Sequence, residues 1–157
     1  MKEQSVIHNT FVIERSYPAT PEKVFAAFSD PAQKRRWFAE GEHTNIERFE
    51  MAFEEGGREL THYRFRPGTI FPGVALVNDA GYQDIVPNSR IVMTATMTLG
   101  EKRISASLIT FEFLPTETGT DLIFTHQAAF FEGSDGPEMR EGGWRKLLGK
   151  LADELAR

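Results

Sequence analysis

Four histidines and a scatter of strand-borne polar groups are where chemistry would have to come from in this chain. In Leu122-Ile123-Phe124-Thr125-His126-Gln127-Ala128, strict alternation puts Leu122, Phe124, His126 and Ala128 on one face, and that face carries the larger apolar residues. An imidazole among them is either a core group satisfied by a hydrogen bond or a polar handle in a greasy cavity, able to orient a ligand or act as a general base. His62 alternates with Leu60 and Arg64 and shares that surface if the register holds. Arg64, Tyr82, Asp84, Arg103 and Glu112 are candidates to converge on the same cavity, although one face of an antiparallel sheet normally meets solvent and claims most such groups. His8, near the N-terminus, reads as frayed and solvated, and His43 as part of a loop.

Stronger catalytic signatures are absent. The chain has no G-x-S-x-G, no H-E-x-x-H, no P-loop and no dinucleotide fingerprint, and nothing marks Ser134 in the loop Gly133-Ser134-Asp135-Gly136 as a nucleophile. Two histidines on separate strands lack the local spacing of a metal site, so no metal and no cofactor are expected. The lack of cysteine excludes disulfides and thiolate chemistry and fits a reducing compartment. A net charge of −5, relieved only by the short run Lys34-Arg35-Arg36, argues against nucleic acid as a partner. No run approaches the roughly 18 apolar residues of a membrane span. Met1-Lys2-Glu3-Gln4-Ser5 is polar, without the apolar core of a signal peptide. The expectation is a soluble, cytoplasmic protein of one domain over residues 1–157.

The elements that must position these groups follow from periodicity. In residues 137–157, Trp144, Leu147, Leu148, Leu151 and Leu155 form one helical stripe, with Arg140, Glu141, Lys146, Lys150, Asp153, Glu154 and Arg157 filling most other positions. Residues 10–17 read as a strand with Phe11, Ile13 and Tyr17 inward; period 2 carries Arg15 inward too, where it needs a carboxylate or a route to water. Thr20-Pro21-Glu22 and Asp30-Pro31 each read as a cap followed by proline, giving two short helices that end near Trp37-Phe38. Six strand-like segments follow, at 45–53, 58–66, about 74–86, 90–99, 103–114 and 119–130, separated by turn signals such as Glu55-Gly56-Gly57 and Pro87-Asn88-Ser89. Asn78-Asp79-Ala80-Gly81 leaves a turn open inside the third of them. The order predicts an α+β fold: a seven-stranded antiparallel sheet with two short helices after its first strand and a long C-terminal helix laid across it.

Four stretches carry a family likeness: Tyr17-Pro18-Ala19-Thr20-Pro21-Glu22-Lys23-Val24-Phe25-Ala26-Ala27-Phe28 with Asp30-Pro31 and Trp37-Phe38; Gly56-Gly57-Arg58-Glu59; Tyr82-Gln83-Asp84-Ile85-Val86-Pro87-Asn88-Ser89-Arg90-Ile91-Val92; and Gly143-Trp144-Arg145-Lys146-Leu147-Leu148. Through them the chain resembles the START-like (SRPBCC, helix-grip) superfamily, and within it the bacterial proteins related to the C-terminal domain of the heat-shock-protein-90 ATPase activator. The resemblance implies a curved sheet gripping the last helix over a cavity for lipids, polyketides or other apolar ligands. Some members are similar in fold and act as cyclases or dehydratases.

Thirteen Phe, two Trp and three Tyr supply walls for such a cavity. Its expected lining is Trp37, Phe38, His62, Arg64, Tyr82, Phe124, His126, Phe130, Trp144 and Leu148, and its expected occupant is an apolar or amphipathic small molecule in roughly 300–1,000 Å³. A cyclase, dehydratase or hydrolase using His126, His62 or Tyr82 is the catalytic alternative. A homodimer or co-chaperone-like module is the interaction alternative. Gly142-Gly143 inside the helix signals a late helix start, close packing on the sheet, room for a ligand, or a first turn free to open.

Overall fold

The computed structural model describes residues 5–157; residues 1–4, most of the stretch read for a signal peptide, lie outside them. Strands β1 (Ile7–Tyr17), β2 (Thr44–Met51), β3 (Arg58–Phe65), β4 (Ala75–Val86), β5 (Arg90–Leu99), β6 (Lys102–Pro115) and β7 (Thr120–Phe130) form one antiparallel sheet in the order β1-β7-β6-β5-β4-β3-β2. From β2 to β7 each strand pairs with the next in sequence, because the connections are too short to reach further. β1 instead closes the far edge against β7, from Ile7 opposite Phe130 to Tyr17 opposite Thr120. His8 is therefore not frayed: it sits in β1 opposite Ala129, exposed on the outer face. β4 runs unbroken through Asn78-Asp79-Ala80-Gly81, held by ladders on both sides. Register shifts at Ile46/Arg48, Tyr82/Asp84 and Met97/Thr98 insert extra residues, and such bulges bend a sheet into a curve.

Helix α1 (Pro21–Ser29) begins where Thr20 Oγ1 accepts from the Lys23 amide at 3.3 Å, and α2 (Pro31–Lys34) where the Asp30 carboxylate accepts from the Ala32 amide at 3.1 Å. α2 widens into a π-helical turn over Arg35–Ala39, closed by the Glu40 amide donating to the Arg35 carbonyl. The turn carries Trp37 inward, and its Nε1 donates to the Ala27 carbonyl at 2.8 Å, which fastens this corner to α1.

Helix α3 (Pro137–Leu155) covers the concave face through Trp144, Leu148, Leu151 and Leu155. Tyr17 Oη donates to the Leu148 carbonyl at 2.8 Å, and Lys23 Nζ to the Leu155 carbonyl at 2.8 Å. Beneath it, Phe28 packs edge-on against Phe111 and Phe113 at 4.8 and 5.2 Å, and Phe124 lies 4.5 Å from Trp144. Each such pair contributes about 0.5–1.5 kcal/mol beyond the area it buries. Arg15 lies half-buried at the rim of the same face, on the expected route to water, and donates to the Arg145 carbonyl at 3.2 Å.

Candidate functional site

Cross-strand partners share a face, so the register decides which polar groups meet. Tyr82, Met93, Ile109, His126 and Phe11 form one row across five strands on the face that α3 covers. Glu59 belongs to that face too, since it accepts from Tyr82 Oη at 2.6 Å. Its neighbours Leu60, His62 and Arg64 therefore point outward. His62 and Arg64 do not join His126: Arg64 binds Glu47 at 2.9 Å and the Gly73 carbonyl at 2.7 Å on the exposed outer face. The apolar Leu60 made this the expected inner set, but β3 is inverted, with Glu59, Thr61 and Tyr63 inside. Asp84 with Arg90, and Arg103 with Thr98, are likewise outside the cavity, paired among themselves.

Between the sheet and α3 a cavity of about 20 Å³ remains, room for a single water molecule. It is not the large cavity expected, because Phe111, Phe124 and Trp144 fill the space beneath the helix. Its walls are nonetheless polar: Asn78, Ser105, Ser107, His126 and Arg140 join Met97, Ile109 and Trp144. His126 is 1% exposed, stacked on Phe11 at 4.7 Å, and its Nδ1 has no hydrogen-bond partner in the protein. Burial, and after it the charge of Arg140, push the imidazole pKa down to about 4 against the opposing charge of Asp135, so it is neutral at pH 7. Arg140 donates to both oxygens of Asp135 at 2.7 and 2.8 Å and to Ser105 Oγ at 3.0 Å, with its guanidinium 5.1 Å over the Phe130 ring. Burial works to raise the Asp135 pKa, but the Arg140 hydrogen bonds and charge, with help from Ser134, outweigh it and hold the carboxyl below its ordinary value.

A second buried polar cluster lies under the two short helices. Lys34 Nζ sits 3.0 Å from Glu59 Oε1, over the rings of Phe38, Trp37 and Phe28, and Glu59 also holds the Tyr82 hydroxyl. Burial and the adjoining Glu59 raise the Tyr82 pKa far enough that it stays a phenol. Thr61 Oγ1, on the same face, is buried without a partner. The run Lys34-Arg35-Arg36 is thus no basic patch: Lys34 is internal, Arg35 meets Glu40, and Arg36 forks onto Glu154 at 2.7 and 2.9 Å.

Of the expected lining, His126 and Trp144 border the cavity. Phe130 sits beneath Arg140, Phe124 and Phe38 flank Trp144, Tyr82 and Trp37 belong to the Lys34 cluster, and Leu148 is fully buried under Tyr17. Arg140, Ser105, Asn78, Lys34 and Glu59 were not expected. One signal was present for Arg140: it stands four residues before Trp144, on the same helical stripe. Gly142 and Gly143 mark neither a late helix start, nor close packing on the sheet, nor room for a ligand in the interior. The helix starts at Pro137, both face solvent, and a side chain at either would meet open space. A groove of about 640 Å³ does exist, but on the outer face, lined by Arg58, Asp79, Gly81, Thr94, Thr96 and Ala106. Among the described residues no three His, Asp or Glu side chains gather as a metal site, and no helix is long and apolar enough to cross a membrane.

The family model described as activator of Hsp90 ATPase homolog 1-like protein matches residues 18–156. A crystal structure from Rhizobium loti is 43% identical, with 96% of this chain and 99% of that one covered and a TM-score of 0.85. A solved structure from Rhizobium leguminosarum is 38% identical over 98% and 97%, with a TM-score of 0.88. The AHSA1-like protein from Aeromonas hydrophila, at 18% identity over 94% and 92% and a TM-score of 0.68, shares the fold. No curated protein matches the chain.

Proposed function

The chain belongs to the family of activator of Hsp90 ATPase homolog 1-like proteins, and from that premise we propose that it binds a small amphipathic molecule between the sheet and the N-terminal half of α3. The observation that carries this is the polar end of an otherwise aromatic interior. Buried polar atoms are nearly always paired, yet His126, which lines the cavity, leaves its Nδ1 unpaired, and Asn9 Oδ1 is unpaired one strand away. A ligand polar group would satisfy what the fold leaves open, while Trp144, Ile109 and Phe11 offer apolar contact.

Entry requires α3 to lift at its start, and the sequence favours that. Gly142 and Gly143 weaken the helix there by about 1 kcal/mol each relative to alanine, with no packing gain to offset them. Gly136 provides no side-chain cap. Binding is favoured over catalysis because an imidazole held near 4 is a poor base at neutral pH.

The test is a thermal-shift and native mass spectrometry screen of medium-chain alcohols, acids and polyketide-like phenols, followed by mapping of NMR shifts. Stabilisation with shifts centred on His126 and the Trp144 indole is the expected result. Ligands that stabilise but shift only Arg58, Asp79 and Thr96 would move the site to the outer groove and refute it.

A further inference from the structure

The Arg140–Asp135 pair stands at the cavity and is asymmetric in a way that structural ion pairs need not be. Arg140 is on α3, with its side chain 8% exposed; Asp135 is in the link between β7 and α3, with its side chain 24% exposed. That link is flanked by Gly133 and Gly136 at φ of 81° and 83°, a region glycine enters freely and other residues do not. A rotation of this link would carry the carboxylate, already the more exposed of the two partners, into water. The guanidinium is held also by Ser105 and the Phe130 ring, and without a carboxylate partner it would be an uncompensated buried charge. Its two donors to Asp135 form the planar fork with which arginine takes any carboxylate, while Nη2 keeps Ser105 as a third contact. Independently, His126, whose Nδ1 is unpaired, lines the same cavity.

We propose that Arg140 is the anchor for a ligand carboxylate and that Asp135 is an internal carboxylate holding its place, so that the ligands are small apolar monocarboxylic acids. This rests on the binding site proposed above. The incoming acid replaces Asp135 on the guanidinium, and its tail lies towards Trp144 and Ile109. Exchange of one carboxylate for another keeps the arginine paired throughout, whereas a neutral ligand that displaced Asp135 would leave it unpaired.

Hexanoate and hexanol form a matched probe pair, to be titrated by calorimetry into the whole chain and into its Asp135→Asn and Arg140→Gln variants. Asp135→Asn, which is nearly isosteric, is expected to bind hexanoate at least about tenfold tighter than the wild type while hexanol binding changes little. Arg140→Gln is expected to lose the preference for hexanoate. If hexanol and hexanoate both bind but Asp135→Asn leaves their ratio unchanged, the anchor is refuted and the binding site stands. If Arg140→Gln is folded and still prefers hexanoate, the anchor is likewise refuted. Should neither probe bind any of the three proteins, the binding site itself fails and the anchor with it. Asp135→Asn alone decides the matter if Arg140→Gln does not fold.

Discussion

Lys34 and Glu59 lie 25 residues apart in sequence and 3.0 Å apart in space, each only 2% exposed, and they join the end of α2 to β3. Glu59 holds a second donor, the Tyr82 hydroxyl, and three aromatic rings face the ammonium. Removing one member of such a pair leaves the other charge stranded. Lys34→Met and Glu59→Gln are each expected to cost about 3–5 kcal/mol in urea unfolding. The double variant should recover at least half of that, since the amide oxygen introduced by Glu59→Gln can still accept from the Tyr82 hydroxyl. A double variant as unstable as the sum of the singles would show that the cluster is held by something other than charge pairing.

Trp144 is the side chain that most nearly closes the interior, at 4.5 Å from Phe124 and 5.7 Å from Phe38. Trp144→Ala is expected to destabilise the chain by about 3–5 kcal/mol and to open a cavity. Because that cavity adjoins His126 and Arg140, hexanol should stabilise the variant more than the wild type in thermal melts. Equal shifts for both proteins would place the ligand elsewhere.

The fold was legible because each of its boundaries has a local cause. Thr20-Pro21 and Asp30-Pro31 start helices where caps and prolines start them, and the Trp144–Leu148–Leu151–Leu155 stripe needs a sheet beneath it. The site was legible only where apolar neighbours announced the inner face, as Leu122 and Phe124 do for His126. Where charge is buried, alternation misleads. Leu60 argued for an inner face that includes His62 and Arg64, yet the inner face of β3 belongs to Glu59, whose partner Lys34 comes from a distant helix. The same holds on α3, whose buried stripe begins with Arg140 and ends with Glu154 beside Leu155; each is inside because of a partner that periodicity cannot name, Asp135 and Arg36 respectively.

Gly142 and Gly143 offer a cleaner test of helix energetics than any core position, since nothing lies near a side chain added at either. Gly142→Ala and Gly143→Ala are each expected to raise stability by about 1 kcal/mol. If loosening of α3 admits the ligand, the double variant should also bind hexanoate more slowly by stopped-flow fluorescence of Trp144. Added stability with unchanged association kinetics would separate the glycines from ligand entry.

His126 makes stability depend on pH with a sign that can be worked out. Burial first, and then Arg140, lower its folded pKa from 6.5 to about 4, with Asp135 opposing. Between those values the unfolded chain binds a proton that the folded chain refuses, so acid favours unfolding. The His126 contribution to stability should therefore fall as pH drops from 6.5 to 4, by on the order of 3 kcal/mol in total, and level off below. The carboxylates lowered by their arginines, Glu47, Asp79, Asp135 and Glu154, lose their contribution below their ordinary values of 4.5 for Glu and 3.8 for Asp, so they overlap this window only at its acid end, and comparison with a His126 variant cancels their share. His126→Phe keeps a ring against Phe11 and removes the titration. Its urea-unfolding free energy should vary less with pH across the window, by about the wild-type drop. An unchanged pH dependence in His126→Phe would mean that the imidazole is protonated equally in both states, and the unpaired Nδ1 would then have to be reassigned to an accessible, solvated nitrogen.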